Sequence, residues 1–404
     1  MNAAAGHTSP PAATPLAILG LALAASASGM SLRVADPLLP RLAAEFGISL
    51  GQASQVVTAF AVAYGLSQML FGPAGDRFGK VRVVAWACAA SAATAALCAL
   101  AGGYRSLLAG RLLAGMTAAA VIPLSMAWIG DAVPYERRQP VLARFLIGQI
   151  AGFAGGVWLG GFAAEHLDWR TPFGVIAVLF AAVAVLLQLL RRRLPAQAAA
   201  PARADGGSRV AHMLGEFRAV LALPWARVVL AAVFFEGAAL YGAFPFIVAH
   251  LHRRFALPLS AAGALVMLFA AGGLAFALGA RRIVRALGER ALVAWGAVLM
   301  ALSLAAIAFA PHWGWAVPAA VAMGLGYYMM HNTLQTQATQ MAPQRRGAAV
   351  AAFASCFFLG QSAGVALCAL LLTAIGTAGV LVAGGAGVLA VAWAFNRQRL
   401  RRGV

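Results

Sequence analysis

Apolar stretches of about 20 residues alternate with short polar turns along almost the whole chain, and each stretch is long enough to cross roughly 30 Å of hydrocarbon as a helix. They fall near residues 16–40, 51–73, 83–103, 107–130, 141–163, 172–190, 228–249, 260–280, 291–310, 314–338, 347–374 and 377–395. The pattern predicts twelve membrane spans and an all-α integral membrane protein. A mean hydropathy of +0.84 with 10% charged residues excludes a single water-soluble core for 404 residues. Residues 16–30, with Ala25-Ser26-Ala27, imitate a signal peptide, but nothing basic precedes Arg33 and the apolar run continues past the cleavage-like site. The first span is therefore read as uncleaved.

The formal net charge of +19 raises the question of nucleic acid, and the placement of the cations answers it. Of the 30 Lys and Arg residues, 23 fall in the tails and alternate loops that share one face, and 5 (Arg41, Arg105, Arg170, Arg253 and Arg254) fall on the other. This asymmetry follows the positive-inside rule, so both termini are expected in the cytoplasm of a cell bounded by a bacterial inner membrane. A bilayer partner accounts for the charge without nucleic acid. Cys88, Cys98, Cys356 and Cys368 sit inside apolar spans without metal-like or C-x-x-C spacing, which favours packing over chemistry. No metal or other cofactor is expected.

The longest polar connection starts at Arg191-Arg192-Arg193 and continues through an Ala, Pro and Gly-rich segment to about Ser208. It divides the chain into an N-terminal six-span bundle at 1–190, a central cytoplasmic loop at 191–227 and a C-terminal bundle with its tail at 228–404. An internal repeat supports the division: Phe145-Leu-Ile-Gly148-Gln149-Ile-Ala-Gly152 matches Phe357-Phe-Leu-Gly360-Gln361-Ser-Ala-Gly364 at an offset of 212 residues. Each copy follows a proline and an Arg pair, Pro134 with Arg137-Arg138 and Pro343 with Arg345-Arg346. Such parallel repeats are one of the ways in which transporters are built.

Between the second and third spans lies Gly72-Pro73-Ala74-Gly75-Asp76-Arg77-Phe78-Gly79-Lys80-Val81-Arg82, which contains the only lysine in the chain. Gly72 and Gly75 are expected to let a helix end approach its neighbours, Asp76 to offer a carboxylate to a helix N-terminus, and the cations to face the cytoplasmic leaflet. The pattern G-x-x-x-D-R-x-G-K-x-R resembles the corresponding loop of major facilitator superfamily (MFS) transporters. Arg111-Leu-Leu-Ala-Gly115 is similar to the family's R-x-x-x-G signature in the fourth span. Gly152-Phe-Ala-Gly-Gly156-Val157-Trp-Leu-Gly160-Gly161 resembles the fifth-span signature of its antiporters, with Val157 in place of a proline. The resemblance covers nearly the whole chain and implies the MFS fold, two six-helix bundles that rock about a central cavity. The loop Gly279 to Arg290 looks like a degraded copy of the Asp76 loop, with Gly288 for Gly79 and Arg285 for Asp76. If the family's use of the acid as a lock carries over, its loss makes the two halves mechanically unequal; otherwise both loops are topological anchors.

Ionisable groups inside spans are costly and usually functional, so Arg33, Asp36, Arg111 and Glu236 are the candidate proton-coupling residues. Arg33 and Asp36 are three residues apart and share a helix face. Arg111 lies about 9 Å below the outer end of its span at 1.5 Å per residue, a depth close to that of Asp36. The MFS resemblance implies that the first and fourth spans both line the cavity, and that the fourth-span arginine takes part in proton transfer. An Asp36–Arg111 contact, made and broken between two states, is expected to exchange a proton, because burial disfavours a charged carboxyl and an adjacent cation favours it. The alternative is a fixed structural ion pair.

Glu236 lies about 13 Å into its span beside Phe234, Phe235, Tyr241 and Phe244, where it holds a proton, attracts a lipophilic cation or hydrogen-bonds another helix. The tenth span carries Tyr327, Tyr328, His331, Asn332 and Gln335, polar side chains expected to face the cavity or to join helices. Together with Phe235, Glu236 and Tyr241 they form the candidate substrate cavity.

The Walker A spacing is absent, since Gly79-Lys80 is followed by valine, so an ion gradient is the expected energy source. His250 and His252 have no third ligand or nucleophile in the sequence pattern, which argues against an enzyme. The reading is a monomeric secondary transporter coupling protons to efflux of drugs or small amphipathic metabolites. The alternative is proton-linked uptake of a small organic anion or sugar bound by Arg33 and Arg111.

Overall fold

The computed structural model describes residues 15–191 and 209–402, and among them the chain is helical without strands. The N-terminal tail to residue 14 and the Arg192-Arg193 part of the connection lie outside the described residues. Helix α1 (Pro15–Arg33) ends in a turn carrying Asp36 and Pro37, which leads to α2 (Leu39–Phe46). Then follow α3 (Gln55–Phe78), α4 (Lys80–Ala99), α5 (Tyr104–Ala118), α6 (Val121–Ala132), α7 (Tyr135–His166) and α8 (Thr171–Arg191). The C-terminal set comprises α9 (Arg209–Ala222), α10 (Pro224–Glu236), α11 (Ile247–Phe255), α12 (Leu259–Met267), α13 (Phe269–Phe309), α14 (Ala316–Gln340) and α15 (Arg346–Arg401).

Nine helical stretches among the described residues are long and apolar enough to cross a membrane. Two of them change course inside, α13 at Gly288 (φ 68°) and α15 at Gly376 (φ 67°), in the left-handed region that only glycine enters freely. These breaks fall just before the predicted ninth and twelfth spans. Helix α14 coincides with the predicted tenth span and is not among the nine, since its Tyr, His, Asn and Gln residues lower its hydropathy. Residues 209–222, read from the sequence as part of the connection, form a helix. Val210, Met213, Leu214, Phe217, Val220 and Leu221 recur at helical spacing there, a periodicity hidden by the flanking polar composition.

Glycines set the tightest helix contacts. On α7, Gly148, Gly152, Gly156 and Gly160 face the carbonyls of Ala22, Ser26 and Met30 on α1 and of Val34 just past its end, and a Cβ at these four glycines would lie 2.8, 2.1, 2.6 and 2.3 Å from the respective oxygens. On α15, Gly360 and Gly364 meet the carbonyls of Phe234 on α10 and of Ala238 in the turn that follows it, in the same way, at 1.9 and 2.1 Å. Ala22 and Phe234, like Ser26 and Ala238, are 212 residues apart, so the repeat seen in α7 and α15 extends to their partners. Gly115 against Phe60 and Gly324 against Phe269 form a second related pair, at an offset of 209. Small residues let membrane helices approach until backbones touch, where dispersion and weak Cα–H···O contacts replace the hydrophobic effect.

The two sets meet where α3 packs on α15 and α7 on α12. Gly51 faces Ala369, Thr58 O accepts from Ser362 Oγ at 3.3 Å, Tyr64 packs on Phe358 with ring centroids 4.3 Å apart, and Gly161 faces Leu259 and Gly263. Across the same end Glu165 Oε2 accepts hydrogen bonds from the amide and hydroxyl of Ser260, in the first turn of α12. This is called the Glu165 end below, and the opposite one the Gly79 end. Outward from the bundle, Val178, Leu278 and Leu370 are exposed, as lipid-facing side chains are.

Candidate functional site: charged and aromatic groups between the helix sets

Arg33 is the last residue of α1, and the turn that follows brings Asp36 back beneath it. Its Nη1 lies 3.4 Å from Asp36 Oδ2, and both side chains are buried. The other arm reaches the C-terminal set, with Nη2 donating to Gln361 Oε1 at 3.2 Å. The guanidinium lies 4.0 Å from the centroid of the Tyr241 ring, 5.0 Å from Phe153 and 5.4 Å from Phe244. A delocalised cation over aromatic faces is stabilised by about 2 kcal/mol when desolvated, which offsets part of the cost of its burial. Asp36 Oδ1, Arg33 Nε and Gln361 Nε2 have no hydrogen-bond partner among the described residues.

Arg111 does not make the expected contact with Asp36. Its Nη1 donates to Ser31 O at 2.9 Å and its Nε to Val56 O at 3.3 Å, with the guanidinium over Phe60 at 4.2 Å. Ser31 lies in the last turn of α1, where carbonyls lack intrahelical partners and the helix dipole favours a cation. Arg111 is therefore spent on fixing the end of α1 to the start of α3. Gly115, one turn further on, holds α5 against Phe60.

Glu236 closes α10, where the backbone passes into a π turn (Gly237–Tyr241) and then a 3-10 turn (Phe244–Phe246) around Pro245. Its fully buried Oε2 lies 2.8 Å from His331 Nδ1 on α14, and its Oε1 has no hydrogen-bond partner among the described residues. His331 stacks on Tyr327 at 4.9 Å and tilts against Phe357 at 4.8 Å; Tyr241 in turn meets Tyr327 at 5.3 Å. Tyr328 fits over Gly273, where a Cβ would come within 2.4 Å of its ring. One continuous aromatic layer thus joins the Arg33 site to the Glu236 site. Phe235 is left out of it, since its side chain is 56% exposed and its neighbour in the ring packing is Phe234. Asn332 is half-buried and Gln335 exposed, and neither side chain makes a hydrogen bond among the described residues. The residue types at 236 and 331 were both visible in the sequence; their pairing across 95 residues was not, and neither was the part played by Gln361.

At the Gly79 end, Lys80 opens α4 and is paired with Asp131 and, at 3.6 Å, with Asp76. The Asp76 carboxylate thus meets an ammonium, and α4 has no side-chain cap. Arg77 lies over Phe78 at 4.7 Å and Arg82 over Trp86 at 5.8 Å. Gly79 has φ 88°, matching Gly288 at an offset of 209. Gly75 does lie close to a neighbour, 2.6 Å from Leu124 by its virtual Cβ, whereas the space around Gly72 is open, contrary to expectation. The expected loss of the acid from the second loop also needs correction. Glu289, at the Lys80 position of that loop, pairs with Arg399 Nη2 at 2.9 Å and accepts from Gln337 Nε2 at 2.8 Å. In this loop the carboxylate follows the glycine break, where the first loop has Lys80, and its partner is an arginine near the end of α15.

The sequence profile of the Major Facilitator Superfamily matches residues 21–365. The chain is 26% identical over 254 residues to the uncharacterised MFS-type transporter YwfA of Bacillus subtilis (strain 168), which covers 63% of this chain and 60% of that protein. It is 29% identical over 181 residues to the multidrug export protein EmrB of Escherichia coli (strain K12), covering 43% of this chain and 34% of EmrB. The chain thus spans 60% or less of the length of these two relatives. Among solved structures, a point mutant of the nucleoside transporter NupG superposes with a TM-score of 0.77 over 94% of this chain and 98% of that one, at 14% identity. A bacterial homologue of the human lysosomal transporter Spinster, inward-facing and unoccupied, gives 0.76 over 96% and 98%, at 18% identity.

Proposed function

Because the chain belongs to the Major Facilitator Superfamily, we propose that it is a secondary transporter that couples protons to the efflux of drugs or small amphipathic metabolites. The observation that carries this reading is Arg33, a buried cation shared between a carboxylate of the N-terminal set and the Gln361 and Tyr241 side chains of the C-terminal set. A charge shared across two bodies ties its protonation partner to their relative position. The likeness to EmrB supports export over uptake.

In this reading residues 1–190 and 228–404 form the two bundles, the cation-rich Gly79 end faces the cytoplasm, and the chain works as a monomer. The Glu165 end is then the closed, outer gate, and Tyr328, His331, Asn332 and Gln335 face the substrate path. Asp36 and Glu236 hold the exchangeable protons, and Arg33 and His331 are their partners.

The test is accumulation of a fluorescent lipophilic cation in efflux-deficient cells expressing the wild type, Asp36→Asn or Glu236→Gln, each with and without a protonophore. Proton-driven efflux predicts lower accumulation with the wild type alone, abolished by the protonophore. Equal accumulation in all strains at matched expression overturns export of cations and turns attention to uptake of organic anions and sugars.

A further inference from the structure

The Arg33 guanidinium is divided unequally. From its own set it receives one carboxylate oxygen of Asp36 at 3.4 Å and the Phe153 face; from the other it receives the Gln361 carbonyl at 3.2 Å, the Tyr241 face at 4.0 Å and Phe244. Asp36 Oδ1 is left without a hydrogen-bond partner among the described residues. Guanidinium and carboxylate groups form their strongest pair when bidentate, and here the C-terminal set draws one arm of Arg33 away. If the sets part at the Glu165 end, α15 and the turns after α10 that carry Tyr241 and Phe244 withdraw, and the second Asp36 oxygen is free to take that arm.

We propose that Gln361 and Tyr241 are positioning residues that compete with Asp36 for Arg33, and so tie the proton occupancy of Asp36 to closure of the Glu165 end. The inference rests on the proton-coupled reading above and names how coupling is achieved. With the end closed, Arg33 is held by Gln361 and Tyr241, and the Asp36 carboxyl keeps a proton. With the end open, the guanidinium returns to Asp36, whose carboxylate is then ionised and bidentate, and the proton leaves to solvent. The other charged or titratable groups near the pair are Arg111 on α5, and Tyr241 and Tyr328, which face Arg33. Arg111 is bound to backbone carbonyls of its own set, so its field at Asp36 does not depend on the gap between sets. Phe153 on α7 and Gln361 on α15 do not titrate.

The experiment places spin labels on the full-length protein at two exposed positions of the Glu165 end, Arg41→Cys on α2 and Arg253→Cys on α11, with the native cysteines replaced, and measures their separation by pulsed EPR from pH 5 to 9. The wild type is expected to shift toward the open distance as pH rises, by about tenfold in the open-to-closed ratio. Gln361→Ala and Tyr241→Leu are expected to flatten that response to less than about twofold, and Tyr241→Phe, which keeps the ring face, to restore it. Gln361→Glu, which offers Arg33 a rival carboxylate, is expected to hold the end closed throughout. A full pH response in Gln361→Ala and Tyr241→Leu, abolished by Asp36→Asn, overturns the inference and leaves proton coupling standing. A wild type whose distances ignore pH overturns both.

Discussion

Gly152 on α7 lies so close to Ser26 on α1 that a Cβ added to it would stand 2.1 Å from the Ser26 carbonyl oxygen. No rotamer relieves a backbone contact, so the helices themselves must move apart. Gly152→Ala is therefore expected to destabilise the protein by about 1–3 kcal/mol, the usual cost of overpacking, with Gly160→Ala similar. Gly72→Ala, whose added methyl meets nothing within 4 Å, is expected to leave stability unchanged. Thermal unfolding of the detergent-purified proteins by intrinsic fluorescence separates the two; equal melting temperatures for Gly152→Ala and Gly72→Ala would show that the α1–α7 contact yields easily.

Glu165 and Ser260 join the two sets through the amide and hydroxyl of the first turn of α12. Glu165→Gln and Ser260→Ala each weaken or remove a hydrogen bond to a charged acceptor, with net contributions of about 1.5–3 kcal/mol when well shielded and less at this exposed position. Each variant is expected to raise the open fraction of this end by about three- to tenfold, read as the rate at which a cysteine introduced at Ala369, opposite Gly51, reacts with a membrane-impermeant maleimide. An unchanged rate in both would mean that the small-residue contacts at Gly51 and Gly161 hold the end shut unaided.

The second loop makes a complementary prediction. Glu289 pairs with Arg399, whose side chain is 10% exposed, while its own is 35% exposed, so the coupling is screened on one side only. A double-mutant cycle of Glu289→Gln and Arg399→Gln is expected to return about 1 kcal/mol. The charge-swapped double variant Glu289→Arg with Arg399→Glu should recover most of the stability lost in either single change. A coupling energy of zero in thermal unfolding would reduce the pair to a surface contact.

The helical, membrane-spanning character of the chain was legible because it is written in long apolar runs, and those runs need no tertiary partner to be recognised. The breaks at Gly79 and Gly288 were legible as well, since a glycine beside a charged turn is a local signal. Contacts were not. Arg111 and Asp36 have compatible depths and opposite charges, yet Arg111 is claimed by the carbonyls of Ser31 and Val56, and the local end geometry of α1 decides that. Depth along a helix is a one-dimensional coordinate and carries no azimuth across spans. Phe235 failed for the same reason: its position next to Glu236 on the chain turns it about 100° away around the helix. The helix at 209–222 was missed because its amphipathic period is short and set inside a polar segment.

Glu236 and His331 form a buried pair whose members should not behave alike on substitution. Removing His331 leaves a carboxyl group with no polar partner in an aromatic shell, and breaking a buried pair from one side typically costs about 3–5 kcal/mol. His331→Phe is therefore expected to lower the melting temperature markedly. Glu236→Gln keeps a neutral hydrogen-bonding group at the same place, so stability should stay within about 1 kcal/mol of the wild type. If the pair acts as a unit, the double variant Glu236→Leu with His331→Phe regains stability relative to His331→Phe alone, because no polar group is left stranded. Thermal unfolding of the single and double variants checks this directly. A double variant less stable than His331→Phe would mean that Glu236 is held by the π turn and its surroundings and not by the imidazole.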